Sequence, residues 1–160
     1  MPTSTAPRPS RASVARALER DILAGCVEAC RALGIPIDRQ NTGAMAVDGR
    51  RVRFGRKGNA DLTGTIPRGP HLGKRLEVEV KRPGARPRPE QLERLAAIRV
   101  AGGIAFWVTE AADSLRVLRR VLDEGAWIEV DEAGTQWVVW GEPGPLDPSG
   151  GALPGPLTPV

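Results

Sequence analysis

The sequence predicts an α/β domain in which helices flank a mixed central sheet and a β-hairpin follows at the C-terminus. Three observations support this fold class: a long amphipathic helix comes first, a strictly alternating strand lies in the middle, and a helix, a buried strand, a helix and a hairpin follow. The chain of 160 residues can bury one core, so we expect one domain at 14–140. The Pro-rich residues 1–13 and 141–160 are expected to be flexible tails.

The first predicted helix covers residues 14–33. Its apolar residues recur at spacings of three and four, as one buried helix face requires, and Gly34 follows as a C-cap. Glu19 precedes Ile22 and Leu23 by about one turn, which places its carboxylate at the edge of the inward face. The residues predicted to face inward are Leu18, Ile22, Leu23, Cys26, Val27, Cys30 and Leu33.

Extended segments are predicted at 35–40, 51–54, 61–66 and 75–81, and glycine-rich turns separate the first three. The fourth segment alternates strictly, with Leu76 and two valines on one face and Glu77, Glu79 and Lys81 on the other. Pro89 then suits the first turn of a helix at 90–101. A buried strand at 104–109, a helix at 113–124 and hairpin strands at 127–130 and 136–140 complete the predicted order.

Several protein classes do not fit this composition. No run approaches the roughly 18 apolar residues of a membrane helix, and the N-terminus lacks the apolar core of a signal peptide. We therefore expect a cytoplasmic protein with no membrane partner and no small-molecule cofactor. Cys26 and Cys30 are four residues apart in a helix and are predicted to be buried free thiols. His71 is predicted to lie in a loop without a role, and ligands for zinc are too few.

Charge is distributed unevenly along the chain. The net charge is +4, but residues 39–94 carry 14 basic and 6 acidic residues, whereas residues 110–142 carry 3 basic and 8 acidic residues. One part of the fold is thus suited to bind a polyanion, although a solvated basic face without a ligand has the same composition.

The predicted chemistry rests on Asp61, Glu79 and Lys81. Strand alternation places Glu79 and Lys81 on one face, and Asp61 begins the preceding extended segment. Because adjacent antiparallel strands lie about 4.8 Å apart, Asp61 and Glu79 can converge. Together with the Val80 carbonyl they would form an all-oxygen site, which favours Mg²⁺ or Mn²⁺ over zinc.

Lysine at position 81 is itself informative. Only three of the 23 basic residues are lysines, and a desolvated lysine can exchange its proton whereas arginine cannot. Lys81 would orient or deprotonate a water, or stabilise charge on a phosphorane. A bare Glu-x-Lys triplet is also common on exposed strands, where it serves solubility only.

These residues resemble a known family. Asp61 followed by Glu79-Val80-Lys81 resembles the signature of the PD-(D/E)xK nuclease superfamily, and residues 39–43, 54–61, 79–84 and 89–91 are similar to its VRR-NUC branch, particularly the small stand-alone phage and prophage members. The resemblance spans 19–122. It implies a restriction-endonuclease-like core, DNA endonuclease activity, a homodimer, and branched, junction or flap DNA as substrate, in a bacterial or phage-infected cell. Ala60 replaces the proline of the superfamily name, at a position that shapes the backbone and holds no ligand.

The resemblance also implies roles for single residues. Asp61, Glu79 and the Val80 carbonyl would be metal ligands, and Lys81 would be the catalytic lysine. Two further residues match positions of the family. Glu19 matches the acid of its first helix, and Gln91 matches the glutamine of the helix that follows its catalytic strand.

Other interpretations of these side chains stay open. For Glu19 the alternative to the favoured metal role is an ion pair to Arg16 or Arg20, and for Gln91 the alternative to the favoured site role is a surface position near a helix start. Glu77 shares the catalytic face but precedes the triplet, so we assign it no catalytic role. The candidates for phosphate contacts are Arg39, Asn41, Lys57, Arg82, Arg86 and Arg88. The tryptophans interpreted as hairpin core or dimer surface are Trp127, Trp137 and Trp140.

Three functions compete at this point. The first is a Mg²⁺- or Mn²⁺-dependent endonuclease that hydrolyses DNA phosphodiester bonds. Its expected substrate is structured DNA. The second is a catalytically silent nucleic-acid-binding module with the same fold. The third is a partner-binding protein that uses the apolar hairpin, and it predicts no salt-dependent affinity for DNA.

Overall fold

A computed structural model of the chain describes residues 10–40, 43–54, 58–130 and 136–139. It has four strands in a mixed open sheet, three α-helices and two further pairs of strands. The prediction of an α/β domain with a mixed sheet and flanking helices is confirmed. No helix within the described ranges is long and apolar enough to cross a membrane.

The central sheet has the order β1-β4-β5-β6. β4 (Leu62–Thr65) pairs antiparallel with β1 (Ile37–Arg39) and with β5 (Arg75–Val80), and β5 pairs parallel with β6 (Ile104–Val108). The parallel pair needs a crossover connection, which α2 (Pro89–Val100) supplies. β5 therefore lies inside the sheet, with a strand on each side.

Helices cover both faces of this sheet. α1 (Arg11–Ala32) and α3 (Ala111–Arg119) pack on one face, where the apolar residues of β5 and β6 meet those of the two helices. α2 packs on the other face through Leu95 and Ile98, against Ala60 and Ala105. Both faces of β5 are consequently buried, including the face that carries acidic residues.

α1 begins three residues earlier than predicted. Ser10 is its N-cap, and the Ser10 hydroxyl accepts a hydrogen bond from the backbone N–H of Ser13 at 3.2 Å. Residues 11–13 therefore belong to the helix and not to a tail. Cys26 and Cys30 are fully buried free thiols, as predicted, but Leu18 is 44% exposed and does not join the core.

A hairpin precedes β4 where one strand was predicted. β2 (Gly43–Val47) pairs antiparallel with β3 (Arg50–Phe54) around Asp48 and Gly49, which both have positive φ, 50° and 73°. An Asp-Gly pair of this kind is the usual two-residue hairpin turn. β2 was missed because its glycine and alanines have low β-propensity and give no clear alternation.

The C-terminal part of the fold contains a short π-helical segment. It continues α3 over Arg120–Glu124 and ends at Gly125, whose φ is 68°. β7 (Trp127–Val130) then pairs antiparallel with β8 (Gln136–Val139). The Gln136 side chain covers the open edge of β6, because its amide bonds both the N–H and the carbonyl of Trp107 at 2.6 Å.

His71 is buried, which the sequence analysis did not predict. It is 3% exposed, and its ring packs edge-on against Trp127 with a centroid separation of 4.1 Å. Nε2 donates to the Ala126 carbonyl at 3.1 Å, and Lys74 stands 3.7 Å over the same indole ring. These contacts attach the loop between β4 and β5 to the start of β7.

Candidate metal centre

The acidic face of β5 points towards α2. Leu76, Val78 and Val80 contribute to the core under α1 and α3, so the intervening Glu77 and Glu79 lie on the opposite face. Both glutamates are almost fully buried, at 2% and 1% exposure. The predicted alternation is confirmed, but the acidic face is covered and not solvated. A buried carboxylate needs compensating partners, and the two glutamates have different ones.

Asp61 lies at the carboxyl end of β5. It precedes β4 directly, and the antiparallel register pairs the next residue, Leu62, with Val78. The Asp61 Oδ2 atom accepts a hydrogen bond from the Val80 N–H at 2.8 Å, while the Asp61 carbonyl accepts one from Gln40 at 2.7 Å. These two bonds hold the Asp61 carboxylate beside the backbone that joins Glu79 to Lys81.

Glu79 is the centre of the cluster. Its Oε1 atom accepts hydrogen bonds from Lys81 Nζ and from Gln91 Nε2. Its Oε2 atom is buried and has no hydrogen-bond partner. Burial, reinforced by the negative charge of Asp61, raises the pKa of Glu79 from about 4.5 to about 7, although Lys81 opposes this shift. Oε2 is therefore the Glu79 atom that is available to a proton or a cation.

Lys81 is held by its own backbone and by Glu79. The Lys81 N–H donates to the Val108 carbonyl at 2.9 Å, which extends the ladder between β5 and β6 by one residue. Its Nζ atom lies 3.1 Å from the Val80 carbonyl and bonds Glu79, and 13% of the side chain is exposed. The Lys81 side chain is therefore mostly buried, and its amine bonds both the carboxylate and the carbonyl that we expect to bind metal.

Gln91 connects α2 to the cluster. It is 6% exposed, so the alternative of a surface glutamine does not apply. Gln91 is the third residue of α2, its Oε1 atom accepts the Arg88 N–H at 2.9 Å, and Pro89 occupies the first helical position as predicted. One side chain thus caps the helix and orients Glu79.

Glu77 forms a second buried cluster that the sequence analysis missed. Arg94 bonds both of its oxygens, at 2.6 and 3.1 Å, and Arg75 bonds Oε1 at 2.9 Å. Arg94 follows Gln91 by three residues, so both project from one side of α2. That spacing is the signal that could have predicted the pair. Because two arginines balance Glu77, it has no oxygen left without a partner.

Glu19 stands nearby but contributes less than Asp61. It is partly buried, and its charge is the smallest of the causes that raise the pKa of Glu79. Arg20, one of the two arginines considered as partners of Glu19, pairs with Asp21 at 3.8 Å. Among the described side chains, no three His, Cys, Asp or Glu residues are arranged to hold a metal ion together. The predicted metal donors are linked through shared partners: Asp61 accepts the Val80 N–H, and Lys81 Nζ bonds both Glu79 and the Val80 carbonyl.

The predicted phosphate contacts divide into two groups. Asn41 and Lys57 lie outside the described residues, as does Trp140. The other candidates are exposed, and three of them follow β5 closely in the chain: Arg82, Arg86 and Arg88, with Arg39 at the end of β1. Trp127 packs against the core, in agreement with its prediction, and Trp137 lies in β8.

Comparison with protein-family models, with curated proteins and with solved structures finds no match for this chain.

Proposed function

We propose that this protein is a Mg²⁺- or Mn²⁺-dependent DNA endonuclease with a restriction-endonuclease-like core, related to the VRR-NUC branch of the PD-(D/E)xK superfamily. One observation carries the proposal. Glu79 is a buried carboxylate with one oxygen held by Lys81 and Gln91 and the other oxygen without a partner, beside the carboxylate of Asp61. This arrangement has the charge and the free donor atom that a cation would satisfy.

The donor set suits a hard divalent cation. Asp61 has one oxygen that accepts the Val80 N–H, and Glu79 has the unpartnered Oε2. The Val80 carbonyl, which follows Glu79 directly, accepts a hydrogen bond from Lys81 Nζ. All these donors are oxygens, as Mg²⁺ and Mn²⁺ prefer. With only two carboxylates and a carbonyl, much of the coordination shell stays available to water and phosphate. A bound ion would supply the Lewis acidity that polarises a phosphodiester and acidifies a water.

The chain's own residues have separable tasks in such a reaction. Gln91 and Lys81 fix the orientation of the Glu79 carboxylate through one oxygen, which leaves the other oxygen free to bind a cation. Lys81 keeps its amine at the edge of the site, where it can hold a water or stabilise charge on the scissile phosphate. The exposed arginines after β5 bind flanking phosphates and position the DNA. A homodimer and a branched substrate belong to the same proposal.

A catalytically silent DNA-binding module is the second candidate. One observation favours it: no third acidic side chain completes a metal group among the residues that the structure describes. The silent module keeps the basic surface and binds DNA, but it has no use for Lys81. The two candidates are therefore separated by cleavage and not by binding.

The test uses Asp61→Asn, Glu79→Gln and Lys81→Ala on branched, flapped and blunt DNA with Mg²⁺ or Mn²⁺. Metal binding is measured separately by calorimetry. We expect the two carboxylate variants to lose metal binding and cleavage, and Lys81→Ala to bind metal but to cleave at least about a hundredfold more slowly. Asp38→Asn and Lys74→Ala are the matched controls, because both residues lie away from the cluster.

Wild-type cleavage by any of the three site variants would contradict the assignment. DNA binding without cleavage by the wild-type protein, unaffected by Lys81→Ala, would instead establish the silent module.

A further inference from the structure

An open cleft of about 320 Å³ lies between the first turns of α1 and the segment that follows β5. It is close in volume to the smaller ligand pockets of proteins. Its lining combines apolar side chains with two cations and contains no acidic residue: Arg11, Val14, Ala15, Leu18, Arg82 and Pro83.

The apolar wall of the cleft is the unburied end of the α1 stripe. Leu23 and Cys26 of this stripe are buried in the core, whereas Val14 and Leu18 are 53% and 44% exposed. The first turns of α1 thus extend past the part of the sheet that covers the rest of the helix. This is the reason why the sequence periodicity predicts Leu18 to be buried and the fold leaves it accessible.

The cleft adjoins the candidate metal centre through two chain neighbours. Leu18 precedes Glu19, whose charge acts on Glu79, and Arg82 follows Lys81, which bonds Glu79. Neighbouring Cα atoms are about 3.8 Å apart, so the backbone that lines the cleft continues directly into Glu19 and Lys81. A DNA strand whose phosphate reached Lys81 could therefore follow this backbone into the cleft.

We propose that the cleft binds one unpaired nucleotide of the DNA substrate, with its base against Leu18, Val14 and Pro83 and its phosphate between Arg11 and Arg82. The proposal rests on the proposed function for the identity of the substrate. The face of a paired base is stacked and inaccessible, whereas an unpaired base can lay its face on an apolar wall. The cleft would therefore select DNA that has an unpaired strand beside the cleaved bond.

Charge favours this occupant over a second copy of the chain. A symmetric contact between two copies would bring Arg11 and Arg82 towards the same residues of the partner, and the cleft lining offers no acidic side chain to balance them. A nucleotide supplies the missing negative charge and a flat apolar face of suitable size.

The test compares binding of a blunt duplex and of the same duplex with a short unpaired arm, in EDTA so that no hydrolysis occurs. Fluorescence anisotropy of labelled DNA gives both affinities. We expect the wild-type protein to bind the armed DNA about tenfold more tightly, and Leu18→Ser to lose most of that preference. Leu72→Ser is the matched control, because Leu72 is an exposed leucine, 67% accessible, in the loop between β4 and β5.

A DNA variant makes the test independent of protein folding. Replacing the first nucleotide of the arm by an abasic site keeps the phosphate and removes the base. It should therefore abolish the preference of the wild-type protein for armed DNA, and it should not lower the affinity of Leu18→Ser any further. Arg11→Gln should weaken binding of the abasic and the intact arm alike. Circular dichroism shows whether each variant is folded.

Three results would overturn the proposal. The first is a preference for armed DNA that survives both Leu18→Ser and the abasic site. The second is an equal loss of this preference in Leu72→Ser, and the third is a wild-type dimer that Leu18→Ser converts to monomers. The failure of the endonuclease proposal is a separate result. If no DNA is cleaved but the arm preference depends on Leu18, the cleft assignment stands; if cleavage needs Lys81 but no arm preference exists, only the cleft assignment fails.

Discussion

At the scale of single residues, the environment of each acid decides what it can do. Glu77 and Glu79 lie on the same face of the same strand and are almost equally buried. Arg94 and Arg75 balance the charge of Glu77. Glu79, in contrast, accepts hydrogen bonds from Lys81 and Gln91 on one oxygen only, and the negative charge of Asp61 acts on it. The first is therefore a stabilising ion pair, and the second retains affinity for a proton or a metal ion.

Glu79 makes the metal-free protein less stable as the pH rises. Its folded-state pKa, about 7, lies above its ordinary value near 4.5, so the folded state holds a proton that the unfolded state has lost. The resulting stabilisation is complete below about pH 4.5 and is lost as the pH passes through 7. In EDTA we expect this group to lower the free energy of unfolding by on the order of 1 kcal/mol per pH unit across that window. Urea unfolding at several pH values measures it.

The control for this pH dependence is Glu79→Gln, which should flatten it, while Glu28→Gln at an exposed position of α1 should leave it unchanged. An identical pH profile for wild type and Glu79→Gln would contradict the assigned cause.

The two thiols should be nearly inert in the folded protein. Burial raises the pKa of Cys26 to about 11 and that of Cys30 to about 12. Two pKa units reduce the reactive thiolate roughly a hundredfold at neutral pH, and burial restricts access as well. A coloured disulfide reagent should therefore label both only after unfolding in urea. Leu72→Cys provides an exposed thiol as the positive control, and rapid labelling of native Cys26 would contradict the prediction.

At the scale of elements, α1 has two different halves. Its second half lies under the sheet and crosses α3 closely, and its first half leaves Val14 and Leu18 accessible. The crossing is close because Gly25 has no side chain: a Cβ atom there would lie 2.6 Å from the Cβ of Ala111. The position of α1 relative to the sheet therefore depends on this glycine, and the same position brings Glu19 towards Glu79.

Gly25→Ala should destabilise the protein even though alanine is the better helix former. The gain in helix propensity is at most about 1 kcal/mol, whereas overpacking at a tight contact costs about 1–3 kcal/mol. We expect a net loss of about 1 kcal/mol in the free energy of unfolding, measured by urea denaturation. Ala24→Gly, at an exposed position beside it, isolates the propensity effect alone. A stabilised Gly25→Ala protein would show that the two helices can separate without cost.

At the scale of the whole molecule, charge is segregated along the chain. The segment 39–94, in which basic residues predominate, contains β5 and the exposed arginines that follow it: Arg82, Arg86 and Arg88. The segment 110–142, in which acidic residues predominate, contains α3, β7 and β8. Long-range attraction would therefore orient DNA towards the side of the fold that carries the candidate metal centre.

This charge distribution predicts how DNA affinity depends on salt. Each phosphate contact contributes about 0.9 to the slope of log affinity against log salt concentration. Arg88→Gln should therefore reduce the slope by about 0.9 for DNA of any sequence, and the backbone N–H of residue 88 can still donate to Gln91 Oε1. Arg119→Gln, at an exposed position of α3, is the matched control and should leave the slope unchanged. Equal effects of both variants would contradict a localised DNA surface.

Local patterns account for the parts of the fold that the sequence predicted correctly. Residues 75–80 alternate so strictly that only one assignment of faces is possible, and Pro89 marks the start of α2. β2 was missed because its residues have weak β-propensity. The early start of α1 was missed because a single serine cap is a weaker signal than the apolar periodicity that begins later in the helix. The pairing of Glu77 with Arg94 joins residues that are 17 apart in the chain, so the spacing of Gln91 and Arg94 on α2 predicts it only once α2 is known to cover the acidic face of β5.

Apart from β2, the sequence by itself determined the succession of helices and strands, the acidic face of β5 and the buried cysteines, because these depend on the spacing of neighbouring residues. Only the tertiary structure decided that α2 covers the acidic face, that Glu79 retains an oxygen without a partner while Glu77 does not, and that Leu18 stays accessible. Those properties depend on which elements meet. Burial and the charges of distant residues are set by packing, and packing is a property of the whole chain.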